Sequence, residues 1–171
     1  MLILTFALLA PTSEPTMVLA AENQENADIS QNIEKTVQEA LKDVCEDRGY
    51  GDNCAKHLLG MLWKESNNKA NAMGDYSAKC RCYLALGYFQ IHYRMHGVSA
   101  TCATDLACSA NWTLDYLEQN SYPKYVKYAV QCHNSCGNPN RYAQSALNHG
   151  ERLWNNPLTI TTVAEFKLAK N

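Results

Sequence analysis

The amino-acid sequence predicts a mainly α fold of the α+β class, with five helices around one short, irregular β-region. Three observations lead there. Apolar residues recur at three- and four-residue spacing in five separate segments. The stretch from residue 70 to residue 93 loses that period and carries Gly74, Gly87 and several aromatics. Eight cysteines, an even number, all lie beyond an apolar amino-terminal run, which in an exported chain reads as a disulfide framework.

The elements follow in order. Residues 2–10 are almost wholly apolar, too few to span a bilayer, and Pro11 and Pro15 interrupt them. Val18-Leu19-Ala20 supplies small residues at the offsets of a cleavage site, although no Lys or Arg precedes the apolar run. Residues 1–20 are therefore expected to be a signal peptide, and the polar residues 21–28 a disordered linker. The domain proper is expected over residues 29–158, with residues 159–171 as a tail that docks as a helix or frays.

In the first helical segment, residues 29–49, Ile33, Val37, Leu41 and Val44 form one apolar stripe, Ser30 is placed to cap the start, and Gly49 stops the run. The second, residues 53–66, has a broad apolar face of Leu58, Leu59, Leu62 and Trp63 and should be central. Leu106, Leu114 and Leu117 mark a third helix over residues 105–121. Pro123 is suited to start a fourth over residues 124–132. Residues 139–154 form the last helix, with Pro139 near its start and Gly150 at its interior or end. Asn111-Trp112-Thr113 has the form of a glycosylation acceptor, but its helical setting argues against that use.

Eight cysteines allow 105 pairings, and local geometry favours a few. Cys45 and Cys54 flank one turn between helices, and Cys132 and Cys136 flank His-Asn-Ser. Cys80 and Cys82 would point to one face of an extended strand, and are expected to pair with Cys102 and Cys108. These spacings are unlike paired Cys-x-x-Cys zinc knuckles, so no metal and no cofactor is expected. The hydrophobic fraction of 46% fits a globular chain, and the net charge of −2 supplies no basic field for nucleic acid. The expected state is a monomer without a membrane span.

Glu65 is the residue best placed for chemistry. It ends an apolar helix, where the partial negative charge of the helix C-terminus and apolar neighbours such as Trp63 work against a bare carboxylate. That suits a general acid. Gln90 can donate to and accept from sugar hydroxyls, Gly87 would let backbone approach a sugar, and Tyr88 and Phe89 either offer flat faces to pyranose rings or fill the core, Phe89 as readily one as the other. Taken singly, His92, His133 and His149 read as structural or exposed.

Four motifs come in order: Glu65-Ser66, then Gly74-Asp75, then Gly87-Tyr88-Phe89-Gln90-Ile91, then Ala146-Leu147-Asn148-His149-Gly150. Over about residues 54–153 this resembles the lysozyme-like transglycosylase domain of soluble lytic transglycosylases and goose-type lysozymes. The resemblance implies a lysozyme-like helical domain whose small irregular β-region lines a cleft. It implies Glu65 as the catalytic acid, and Ser66, Asp75, Gly87, Tyr88, Gln90 and Asn148 as substrate-binding positions. The substrate it implies is peptidoglycan, cut between N-acetylmuramic acid and N-acetylglucosamine by an enzyme secreted or held in the cell envelope. The chain departs from the family pattern twice. Leu147 replaces a tyrosine that supports the catalytic carboxyl, leaving Tyr88 and Tyr142 as possible hydroxyl donors. His92 stands where goose-type enzymes carry an acid. A single carboxyl favours transglycosylation and a second favours hydrolysis with inversion. The alternatives are a hydrolytic goose-type lysozyme, a noncatalytic glycan-binding or structural domain, and a cysteine peptidase acting on wall peptides.

Overall fold

The computed structural model describes residues 35–137 and 141–161. The expected export segment and linker, the Ser30 cap, Pro139 and most of the tail lie outside the described residues. The fold is mainly α with one two-stranded antiparallel sheet, as the sequence predicts. The elements are α1 (Val37–Glu46), α2 (Asp52–Ser66), β1 (Met73–Ser77), β2 (Cys82–Leu86), the short α3 (Tyr93–His96) and α4 (Ala100–Thr104), α5 (Leu106–Gln119), α6 (Val126–Ser135) and α7 (Tyr142–Leu153). Among the described residues, no helix is long and apolar enough to cross a membrane.

Helix α1 begins at Val37 behind a complete capping box. The Thr36 hydroxyl accepts from the Glu39 amide, and the Glu39 carboxylate accepts from the Thr36 amide at 2.7 Å. Its apolar stripe, Val37, Leu41 and Val44, packs into the core. Helix α2 is central as expected, with Leu58, Leu59, Met61 and Leu62 fully buried. It crosses α7 antiparallel with almost no space between the backbones. A β-carbon on Gly60 would stand 1.9 Å from the Ala146 carbonyl oxygen, and one on Gly150 would stand 2.1 Å from that of Lys56. Gly150 therefore lies inside α7 because the helix crossing admits no side chain there.

The sheet is a hairpin in which Gly74 faces Ala85 and Tyr76 faces Tyr83. Asp75, at φ 52°, interrupts the pairing. Met73, Tyr76 and Tyr83 are exposed. The last described residues strap the fold together. Leu158 accepts from the Val37 amide at 2.8 Å, and Gln38 donates to Leu153 and Asn156 carbonyls. Thr159 bridges Thr36, and the Tyr88 hydroxyl donates to the Thr161 carbonyl at 2.6 Å. The chain thus packs as part of the domain beyond the expected boundary at residue 158.

All eight cysteines are paired: Cys45–Cys54, Cys80–Cys82, Cys102–Cys108 and Cys132–Cys136. The first and last follow the sequence expectation. The cross-pairing of Cys80 and Cys82 with Cys102 and Cys108 is overturned. Arg81 takes φ 51° in the turn before β2, so Cys80 leaves the extended path and folds back on Cys82. Cys102 lies in α4 and Cys108 in the first turn of α5, and the break between these helices at Asp105 brings the two sulfurs together. No thiolate remains to act as a nucleophile.

Candidate active site

Glu65 lies in the last turn of α2. The chain stops the helix immediately after it with Asn67 and Asn68, both left-handed at φ 53° and 62°, a conformation that asparagine tolerates. Ser66 serves this ending. Its hydroxyl donates to the Leu62 carbonyl at 3.1 Å and accepts from the Lys69 amide at 3.3 Å, and the residue is buried. Ser66 is therefore a helix-terminating residue, with its hydroxyl already engaged rather than facing a substrate.

The antiparallel crossing of α2 and α7 sets Glu65 beside the start of α7. There the buried Tyr142 donates its phenolic hydrogen to the Glu65 carboxylate. Burial pushes the phenol far above its ordinary pKa, and the Glu65 charge and hydrogen bond push the same way. Tyr142 therefore stays protonated and acts as a donor throughout the working pH range. Of the two hydroxyls that stood as replacements for the family tyrosine, this one reaches the carboxyl, while that of Tyr88 is committed to Thr161. The Glu65 side chain keeps 16% of its surface exposed, so it is held from one side and open on another.

A second group sits at the carboxyl. His133 Nε2 lies 4.0 Å from Glu65 Oε1, and the His133 side chain is only 7% exposed. The same nitrogen is 2.9 Å from the Phe89 carbonyl oxygen. A carbonyl only accepts, so Nε2 carries the hydrogen. The His133 and Tyr142 rings stack with centroids 6.5 Å apart. Tyr116 packs edge-on against His133, and Trp112 stacks on Tyr116, extending an aromatic row away from the carboxyl. The sequence reading passed over His133 as structural. Its one signal was its place in Cys132-His133-Asn134-Ser135-Cys136, beside a disulfide that fixes the end of α6.

The Gly87-Tyr88-Phe89-Gln90-Ile91 segment explains how His133 is held. Leu86 and Ile91 exchange amide hydrogen bonds at 3.1 and 3.0 Å, closing a tight loop over the four residues between them. Gly87 turns at φ 76°, and a β-carbon there would strike the Ala103 carbonyl oxygen at 1.7 Å. Packing against α4 is thus its structural reason. Tyr88 and Phe89 are buried at 1% and 0% exposure, so of the two uses the sequence leaves open for these aromatics, core or sugar contact, their rings take the core. Gln90, at φ 48°, donates to the Gly87 carbonyl at 3.0 Å and packs its amide oxygen over Gly74. The loop aims the Phe89 carbonyl at His133.

The remaining expected site residues lie elsewhere. Asp75 is on the hairpin with its carboxylate 65% exposed, 2.5 Å from His92 Nε2. Asn148 is exposed on a face of α7 away from Tyr142, and its side-chain oxygen accepts from Gln144 at 2.9 Å. The Asn111-Trp112-Thr113 triplet lies inside α5 with Thr113 fully buried. Among the described residues no group of three or more His, Cys, Asp or Glu is arranged to hold a metal ion.

Helix α2, the crossing glycines and the Leu86–Ile91 loop thus converge on one partly buried carboxyl with a phenol and an imidazole beside it. No family model, no curated protein and no solved structure matches the chain.

Proposed function

We propose that the protein is a peptidoglycan-cleaving muramidase acting as a lytic transglycosylase, with Glu65 as its one general acid and base. The observation that carries this reading is the Glu65 carboxyl at the end of the central helix, fixed by a phenol that keeps its proton. The resemblance in motif order adds the substrate class. Glu65 gives its proton to the glycosidic oxygen as the bond from N-acetylmuramic acid C1 to the N-acetylglucosamine O4 breaks. The muramic C6 hydroxyl then attacks C1 of the same sugar, and the Glu65 carboxylate takes the hydroxyl proton. The product is a 1,6-anhydro ring, and no water is consumed.

Tyr142 holds the carboxyl during both transfers, and the His133 ring, anchored on the Phe89 carbonyl, stacks on that of Tyr142. Asp75 is exposed and engaged by His92, which favours a one-carboxyl route over paired acid and base. Four disulfides suit an exported protein working in or outside the cell envelope.

The test is mass spectrometry of muropeptides released from purified cell walls. Anhydro ends, lighter by one water than reducing ends, support transglycosylation. Reducing ends instead assign a hydrolase. No release by folded protein assigns a glycan-binding or structural domain.

A further inference from the structure

The outer face of α7 carries a second site, beside the carboxyl rather than at it. A cavity of about 610 Å³ is lined by Lys127, Arg141, Ser145, His149 and Arg152, together with Gln144 and Asn148. A smaller one of about 480 Å³ shares Arg141 and Ser145 with it, reaches Lys64, and has Tyr142 in its wall. The two form one trough, running from the tyrosine that holds Glu65 along α7. No lining residue of either cavity is acidic. Lys64, Lys127, Arg141 and Arg152 are all exposed, and none has an acidic partner among the described residues.

Arg141, Ser145, His149 and Arg152 recur at three- and four-residue spacing, so they form one stripe. Its length is set by the helix. Eleven residues at about 1.5 Å rise give roughly 16 Å between the arginine backbones. An extended peptide of about five residues has the same length. His149 lies between the cations with its ring accepting from Arg152 at 3.1 Å. Burial lowers its pKa, and the Arg152 and Lys64 charges lower it further, so it is neutral near pH 7 and offers polar contact.

We propose that this trough binds the carboxylates of the peptide stems on the glycan strand, so that the protein selects stem-bearing over denuded peptidoglycan. The proposal rests on the peptidoglycan reading and deepens it: Glu65 cuts the sugar chain while α7 reads its acidic peptide branch. Asn148, expected at the sugar from motif order, belongs to this trough.

The experiment uses full-length Glu65→Gln protein, which should leave strands uncut. It is titrated calorimetrically with stem-bearing strands and with strands stripped of peptide by an amidase. Stem-bearing strands should bind roughly ten-fold more tightly at low salt. The difference should shrink at 1 M salt, where the screening length is about 3 Å. It should collapse in Arg141→Gln/Arg152→Gln, and in Lys64→Gln/Lys127→Gln should the first pair fail to fold. A free stem peptide should compete, and its fully amidated form should not. Equal affinity for both strands, or a preference that survives both charge-neutralised pairs, overturns the proposal. So does competition by polyphosphate without competition by the stem peptide. Wild-type cleavage of both strands without a binding preference removes the trough proposal alone. A preference without cleavage keeps the trough and removes the catalytic reading.

Discussion

Removing the Tyr142 hydroxyl isolates what holds the Glu65 carboxyl. In Tyr142→Phe the ring stays, with its stacking on His133 and its place in the core, and only the donor to Glu65 is lost. A hydrogen bond to a charged group contributes about 1.5–3 kcal/mol net. At about 1.36 kcal/mol per tenfold in rate, the full loss at the transition state amounts to a fall of roughly 10- to 150-fold in kcat. KM should change little, because the hydroxyl is engaged by the Glu65 carboxyl and the ring that remains is 7% exposed. The phenol stays protonated across the working range, so its removal should also leave no new alkaline limb in the pH–rate profile. Stability should fall by no more than about 3 kcal/mol, the upper end for a hydrogen bond to a charged group, since no packing area is lost. The assay is muropeptide release at several wall concentrations, with a urea denaturation curve for each protein. Wild-type kcat in a folded Tyr142→Phe protein would refute the positioning role. A drop in stability several-fold larger than stated would show that the hydroxyl serves the core rather than the acid.

Three further outcomes follow from the same geometry. Gly60→Ala forces a β-carbon to within 1.9 Å of the Ala146 carbonyl oxygen. It should therefore destabilise by about 1–3 kcal/mol or more, outweighing the helix-propensity gain of about 1 kcal/mol, and a thermal midpoint at or above wild type would contradict the tight crossing. His57 bonds the Tyr122 hydroxyl at 3.0 Å, and burial lowers its pKa, with Lys56 lowering it further and Glu151 opposing. The unfolded chain then takes up this proton first as pH drops, so stability should decline from about pH 6.5 down to the lower folded value. His57→Gln should flatten that part of the curve, and an unchanged slope would exclude His57 as its source. Asp75→Asn should keep most wall cleavage, because its carboxylate is 65% exposed and engaged by His92. A loss as deep as that of Glu65→Gln would instead assign it to water activation.

The parts of this fold that were legible in the sequence are those fixed by local rules. The apolar stripes of α1, α2, α5 and α7 recur at helical spacing, and the aperiodic stretch after Ala70 holds the hairpin. Cys45 and Cys54 sit across one turn, so proximity along the chain decided their pairing. The cross-pairing of Cys80 and Cys82 failed because it assumed a straight strand, and one left-handed residue, Arg81, bends it. For Tyr88 and Phe89 the sequence left core and sugar contact both open, because aromatics beside a glycine suit either. The loop closed by Leu86 and Ile91 turns both into the core. The place of Glu65 in the last turn of a central helix was legible. Its partner is 77 residues away, and the sequence could only nominate Tyr142 beside Tyr88. The helix crossing at Gly60 and Gly150 decides between them, and spacing along the chain does not encode it.

Glu65→Gln tests the central claim most directly. It keeps the shape of the side chain and removes the transferable proton. General acid–base groups contribute about 10²–10⁴-fold, so muropeptide release from purified walls should fall by at least about 100-fold. The thermal midpoint should hold or rise, since a carboxylate at a helix C-terminus is electrostatically misplaced. Undiminished release by the folded variant, measured in the same preparation as its thermal midpoint, would contradict the assignment of Glu65 as the catalytic acid.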